Sequence, residues 1–442
     1  MMRSRVGAGR RVVAGFASGA RLAIGILAAA SILASACDTR QHENPLDPDN
    51  PGTHGVPRAL AAIAGDHAVE LRIDPIGLSD LAGFRLARST GGGAPAVVGD
   101  SLLAPSTRVV EDSSVTNGAT YQYTLELVTR GADGGVGDAF PAAPDTATPG
   151  PDEPWVIDDG APPLVELSAD LRRARARFGA GGPYADIAVD PSDGTVWAAD
   201  EYDARLWHFD RDGSVILVRD DLAPLFRLAA GGADGTLWAL SRETRVLYRL
   251  NAAAEVLDSA SVPDAGTLRD LDTDPSDGSA WVTDALGAVW QFVPGMEPVP
   301  VVTSGSSSSF AIAFDPDGRG FWLSHPNTGE LDFWERLPVW HELVVPAGVA
   351  IPREVAPRVG PGGEVQAWVV DLTGSLALVE PTGVIARTAA IASPLAPLAA
   401  PDGSCYVIEG GTGSILHVSA AGAIDHRLAT LLAPRALAIW RP

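Results

Sequence analysis

Apolar runs of four to six residues alternate with short polar turns along most of this 442-residue chain, and from residue 155 onward the alternation gains a longer period. An aromatic residue closes a turn-then-strand unit at Trp155, Trp197, Trp238, Trp281, Trp322, Trp368 and Tyr406, about 42 residues apart. Around each lie an apolar strand, a turn such as Asp190-Pro191-Ser192-Asp193-Gly194, the strand bearing the aromatic, and two further short strands. Four short strands repeating at this interval predict one small sheet per repeat and an all-β ring of such sheets, a β-propeller.

The first and last repeats set the expected blade count. Trp155-Val156-Ile157-Asp158 and the two strands after it match Trp368-Val369-Val370-Asp371 and its successors, but no first strand precedes them. Pro434 to Trp440 matches the first-strand pattern of Ala185 to Asp190. Three strands from 154 onward and one from the C-terminal segment would therefore share a blade and close a seven-bladed ring over residues 154–442, hiding sheet edges that invite aggregation.

Between 56 and 149 the pattern changes to strands that alternate inward and outward residues: Val69–Ile73, Gly83–Ala87, Arg108–Asp112 and Tyr121–Leu127. With Asn117-Gly118-Ala119-Thr120-Tyr121-Gln122-Tyr123, this region resembles a fibronectin type III β-sandwich, which implies a tyrosine-corner role for Tyr121; Ile73 and Phe84 stand where that family shows Trp and Tyr. Pro144 to Pro154 reads as a proline-rich hinge, with 150–153 as the linker.

The first 36 residues read as an address. A basic stretch ending at Arg21 precedes the apolar run Leu22–Leu33, followed by Leu33-Ala34-Ser35-Ala36-Cys37. Small residues ahead of a lone cysteine resemble a bacterial lipobox, implying cleavage before Cys37, its acylation, and a lipid-anchored place in the cell envelope facing periplasm or exterior. Residues 37–55, centred on Asn44-Pro45-Leu46-Asp47-Pro48-Asp49-Asn50-Pro51, are expected to be a disordered, extended tether; alternating prolines argue against a wrapped calcium loop built on Asp47 and Asp49.

Charge narrows the partners. The chain carries a formal charge of −23; its first 36 residues hold five arginines and no acid, so residues 37–442 carry −28. Nucleic acid is excluded as a partner class, because neutralising phosphates needs a basic face. The sequence has no lysine, which excludes Schiff-base and phosphate-loop chemistry. Cys405 has no mature partner cysteine and sits in an apolar strand as a packing residue.

Two residue sets carry candidate chemistry. Three positions after each aromatic come Asp158, Asp200, Ser241, Asp284, His325, Asp371 and Glu409, which stacking would set in a ring. The blades resemble NHL-type propellers, in which such aspartates accept backbone N–H bonds; the alternative is an acidic rim able to hold a divalent cation such as calcium or zinc. A second set, Asp186, Arg227 and Asp270, occupies one position on three successive innermost strands and would converge near the axis, as a charge-balanced cluster or as ligand contacts. In outline the blades also resemble gluconolactonase-type hydrolases and streptogramin lyases, whose metal-ligand pattern is not recoverable here. Two function classes follow: a monomeric, non-enzymatic lipoprotein without cofactor that binds a protein, peptide or glycan, or a metal-dependent enzyme acting on a small lactone or sugar acid.

Overall fold

The computed structural model describes residues 42–231, 235–262, 266–303, 309–346, 348–400, 402–428 and 430–440. Cys37 and the predicted address lie outside them. Every regular element among the described residues is a β-strand. The chain divides into two compact units, Met1–Pro57 with Gly77–Ser79, and Arg58–Ile76 with Asp80–Pro442.

In the smaller unit, the described part of the segment expected to be extended, residues 42–55, is instead a run of tight turns. Asn44 Oδ1 accepts from the Leu46 N–H, Asp47 Oδ1 from Asp49, and Asn50 Oδ1 from Gly52. Short polar side chains thus satisfy their own backbone locally, which proline, lacking a donor, leaves them free to do.

The larger unit begins with two sheets. One pairs Leu60–Gly65, Ala68–Ile73 and Val109–Asp112; the other holds Ala96–Val97, Leu81–Thr90, Tyr121–Arg130, Val136–Pro141 and Asp145–Ala147. Val69, Leu71, Ile73, Phe84, Leu86, Tyr123, Leu125 and Leu127 are buried, as period-2 alternation requires. The Tyr121 hydroxyl accepts the Thr116 N–H at 2.9 Å, tying the turn to the strand. The expected hinge starts later than the prolines suggested. Asp145–Ala147 is a strand paired with Tyr121–Tyr123, and Glu153 already opens the next sheet.

From Glu153 onward the described residues form seven four-stranded antiparallel sheets, the arrangement of a β-propeller. Six run consecutively, beginning with Asp186–Val189, Val196–Asp200, Arg205–Phe209 and Val215–Arg219, and ending with Pro394–Ala399, Cys405–Glu409, Ser414–Val418 and Ile424–Leu428. The remaining sheet joins Glu153–Asp158, Leu164–Leu167 and Ala174–Phe178 to Pro434–Trp440. First strands pack side by side in a closed cycle, the last of them against both 394–399 and 186–189. Trp155, Trp197, Trp281, Trp322 and Trp368 are fully buried, filling the wedges between sheets. At the junction the Arg211 guanidinium lies 3.6 Å above the Trp440 ring, and a Cβ at Gly194, whose φ is +79°, would clash with that indole.

Candidate functional site

The seven residues expected to form a ring all sit where the second strand ends, and their partners define what they do. Asp284 Oδ1 accepts the Leu286 and Ala288 N–H groups of the following turn, while Oδ2 accepts Gly266, just before the first strand of the same sheet. Asp371 likewise holds Thr373 on one side and Ala350 and Ile351 on the other. Asp158 receives Leu432 and Ala433, Glu409 receives Ala392, Asp200 receives Tyr202 and Asp203, and Ser241 receives Thr244. Asp200, Ser241, Asp284 and Asp371 therefore fasten the following turn, and Asp158, Asp284, Asp371 and Glu409 fasten the segment entering the first strand.

An arginine on the outer strand completes three of these clamps: Arg177 to Asp158 at 2.7 Å, Arg387 to Asp371 at 3.0 Å, and Arg427 to Glu409. Burial would raise the Asp371 carboxyl, but the Thr373 and Ala350 N–H groups, the Thr373 hydroxyl and Arg387 outweigh it and hold the carboxyl at about 2. One sheet reverses the polarity. There His325 takes the acidic position, its Nε2 2.9 Å from Asp332 Oδ2 on the third strand. Glu342, on the outer strand of that sheet, has its carboxyl raised by burial and by Asp332.

Asp186, Arg227 and Asp270 do converge. Their register partners Ala199, Leu240 and Thr283 each precede a clamp residue, so the three are equivalent on successive first strands. Each acid reaches sideways. Asp186 Oδ2 accepts the Leu228 N–H at 2.9 Å and Asp270 Oδ2 the Ile312 N–H at 3.1 Å, in each case on the next sheet. Arg227 Nε donates to Asp270 Oδ1 at 3.1 Å.

The reading missed Glu354, which bonds Ala396 N–H in the same sideways manner, and Asp272, whose Oδ2 accepts Phe314 N–H at 2.7 Å. A register shift between Pro352 and Val355 hid the first; alternation two residues beyond Asp270 was the available signal for the second. Asp186, Arg227, Asp270, Glu354 and Arg435 line a cavity of about 210 Å³ at this end of the first strands. Arg227 keeps 33% and Asp270 22% of its side-chain surface. Even so, burial raises Asp270 to about 6 against the pull of Arg227, raises Asp272 to about 7, and raises Asp186 too.

Two further candidates behave differently. Among the described residues, ligand atoms of three acidic or histidine side chains come within 4.8 Å of one another at His42, Asp47 and Asp49, where His42 Nδ1 lies 2.7 Å from Asp47 Oδ2. Cys405 is buried and its thiol is pushed far up by burial, making it a packing group.

No family model and no curated protein matches the chain. Solved structures match its fold. A functionally unknown protein from Desulfotomaculum acetoxidans superposes with a TM-score of 0.56 at 11% identity, covering 66% of this chain and 99% of the other. A streptogramin B lyase gives 0.50 at 16% identity over 58% and 86%, and the WD40 repeats of RRP9 give 0.50 at 11% over 58% and 83%. At these identities the likeness shows the propeller fold alone. Neighbours that include both a lyase and a WD40 repeat protein leave the activity open.

Proposed function

We propose that the chain is a lipid-anchored, non-enzymatic binding protein of a bacterial cell envelope, monomeric and without a cofactor, that presents one propeller face to a protein, peptide or glycan. In this reading residues 1–36 are a lipoprotein signal peptide and Cys37 is the acylated residue. Residues 37–55 form the tether, 56–149 a fibronectin type III-like sandwich, 150–153 the linker, and 154–442 a seven-bladed propeller closed by the blade that pairs Glu153–Asp158 with Pro434–Trp440.

One observation carries the non-enzymatic part: the carboxylates of the two candidate sets already accept donors from the protein itself. The clamp acids accept two or more backbone or arginine donors each, and Asp186, Asp270 and Glu354 each accept a backbone N–H of the neighbouring sheet. An ion drawn to the remaining lone pairs would compete with these donors, each bond worth about 1–3 kcal/mol when the freed donor is left buried. Elemental analysis of the purified protein tests it. The expected content is well below one calcium or zinc per chain. About one metal ion per chain, lost in Asp186→Ala or Asp270→Ala protein, would replace this reading with a metal-dependent hydrolase or lyase.

A further inference from the structure

We propose that the partner is a polypeptide segment bearing an arginine or lysine, whose cation enters the acidic mouth lined by Asp186, Asp270 and Glu354 while its apolar flanks rest on Tyr202, Leu286 and Leu432. This rests on the binding reading above and names the chemistry of the bound molecule.

The argument begins with where exposed apolar side chains lie. Tyr202 and Leu286 sit in turns just past the clamp residues Asp200 and Asp284, and Leu432 donates its N–H to Asp158. They keep 84%, 70% and 71% of their surface. Ile351 and Leu372 are also exposed and joined by the Leu372 N–H to Ile351 carbonyl bond. All five occupy the end of the sheets at which the first strands begin. That is the end where the 210 Å³ mouth opens, since Asp186, Arg227 and Asp270 pair with residues adjacent to the clamps. Large apolar groups left in water at the same end as a polar depression offer a partner apolar contact beside the central one.

Charge and size select the occupant. The mouth sets three carboxylates against one guanidinium, Arg227, which pairs with Asp270 inside it, because Arg435 is paired with Asp159 at 2.7 Å. Residues 37–442 carry −28, which draws cations toward the face. A volume of about 210 Å³ falls below the roughly 300–1,000 Å³ of small-molecule sites and suits a single long side chain. The apolar groups are aliphatic apart from Tyr202, which favours polypeptide side chains over sugar rings that stack on aromatics.

Calorimetric titration of the full chain in detergent with three capped nine-residue peptides tests this. The peptides are identical, leucine-flanked, and carry arginine, citrulline or glutamate at the centre. The arginine peptide is expected to bind at least tenfold more tightly than the citrulline peptide, the glutamate peptide least, with the difference shrinking in high salt. Glu354→Gln should weaken the arginine peptide at least fivefold. Tyr202→Ser and Leu286→Ser, on turns that do not staple sheets, should weaken it comparably, whereas Val339→Ser, on a turn at the opposite end, should not. Equal binding of all three peptides, no binding of any, or equal loss in the Val339 variant would overturn the proposal. Failure here in metal-free protein leaves the binding reading standing with a different partner; stoichiometric metal would remove that reading itself.

Discussion

Arg227 on one first strand donates its Nε–H to Asp270 on the next at 3.1 Å, and the other oxygen of Asp270 accepts the Ile312 N–H of the sheet beyond. One carboxylate thus joins three successive sheets around the axis. Removing the cation alone strands a carboxylate in a site that already disfavours its charge.

Arg227→Met should therefore destabilise the protein by about 1–3 kcal/mol, below the value for a fully buried pair because both groups keep some exposure. Arg227→Met with Asp270→Leu should recover part of that loss. Denaturant melts of the two singles and the double, read as a double-mutant cycle, measure the coupling; strict additivity would show that the pair does not join the sheets.

Stability should peak in mildly acidic solution. Asp270 at about 6 and Asp272 and Glu166 at about 7 hold protons more tightly in the folded chain than the ordinary carboxylate near 4, so stability falls as pH rises through about 4 to 7. Asp371, held at about 2, and Asp112 and Glu409, also lowered, act oppositely, and their contribution is lost as pH drops below about 4. Thermal melts between pH 3 and 8 should show a maximum near 4. Asp272→Asn should flatten the limb above it, and a monotonic rise to pH 8 would contradict the assignment.

The ring pattern, the turns and the two candidate sets could be read from the chain because they depend on period and alternation, which side-chain type alone reports. Trp155 and Tyr406 mark the same position in sheets whose other residues differ widely. The turn-holding role of Asp200 and Asp371 is what the NHL resemblance implies, whereas the Leu432 and Ala433 donors to Asp158 come from the far end of the chain and leave no local signal. The exposed face was missed for a similar reason. Tyr202, Leu286 and Leu432 are unremarkable singly and become a surface only when the sheets stand side by side. Proline content points to an extended segment at 44–55, whereas the Asx signals of Asn44, Asp47 and Asn50 set turns there.

Deleting residues 434–442 should remove the strand paired with Glu153–Asp158 and leave Trp155, Val156 and the rim under Trp440 uncovered. Aggregation or a large loss of cooperative unfolding is expected. A truncated protein as soluble and as cooperative as the parent would mean that this pairing does not close the ring.

If Cys37 carries the anchor, Cys37→Ser should shift the protein from the membrane to the soluble fraction, since stable attachment depends on the acyl chains. Unchanged partitioning after detergent phase separation would remove the lipoprotein assignment.

The central claim is that the ring acids hold the fold together. Thermal unfolding of Asp158→Ala, Asp284→Ala and Asp371→Ala protein at pH 7 tests it most directly, because groups kept for ligand or catalysis commonly sit at a cost to stability. Each variant loses two or more buried acceptor bonds, so each Tm should fall by at least about 3 °C. Melting temperatures that stay level or rise would contradict the account and return these carboxylates to the role of a ligand site.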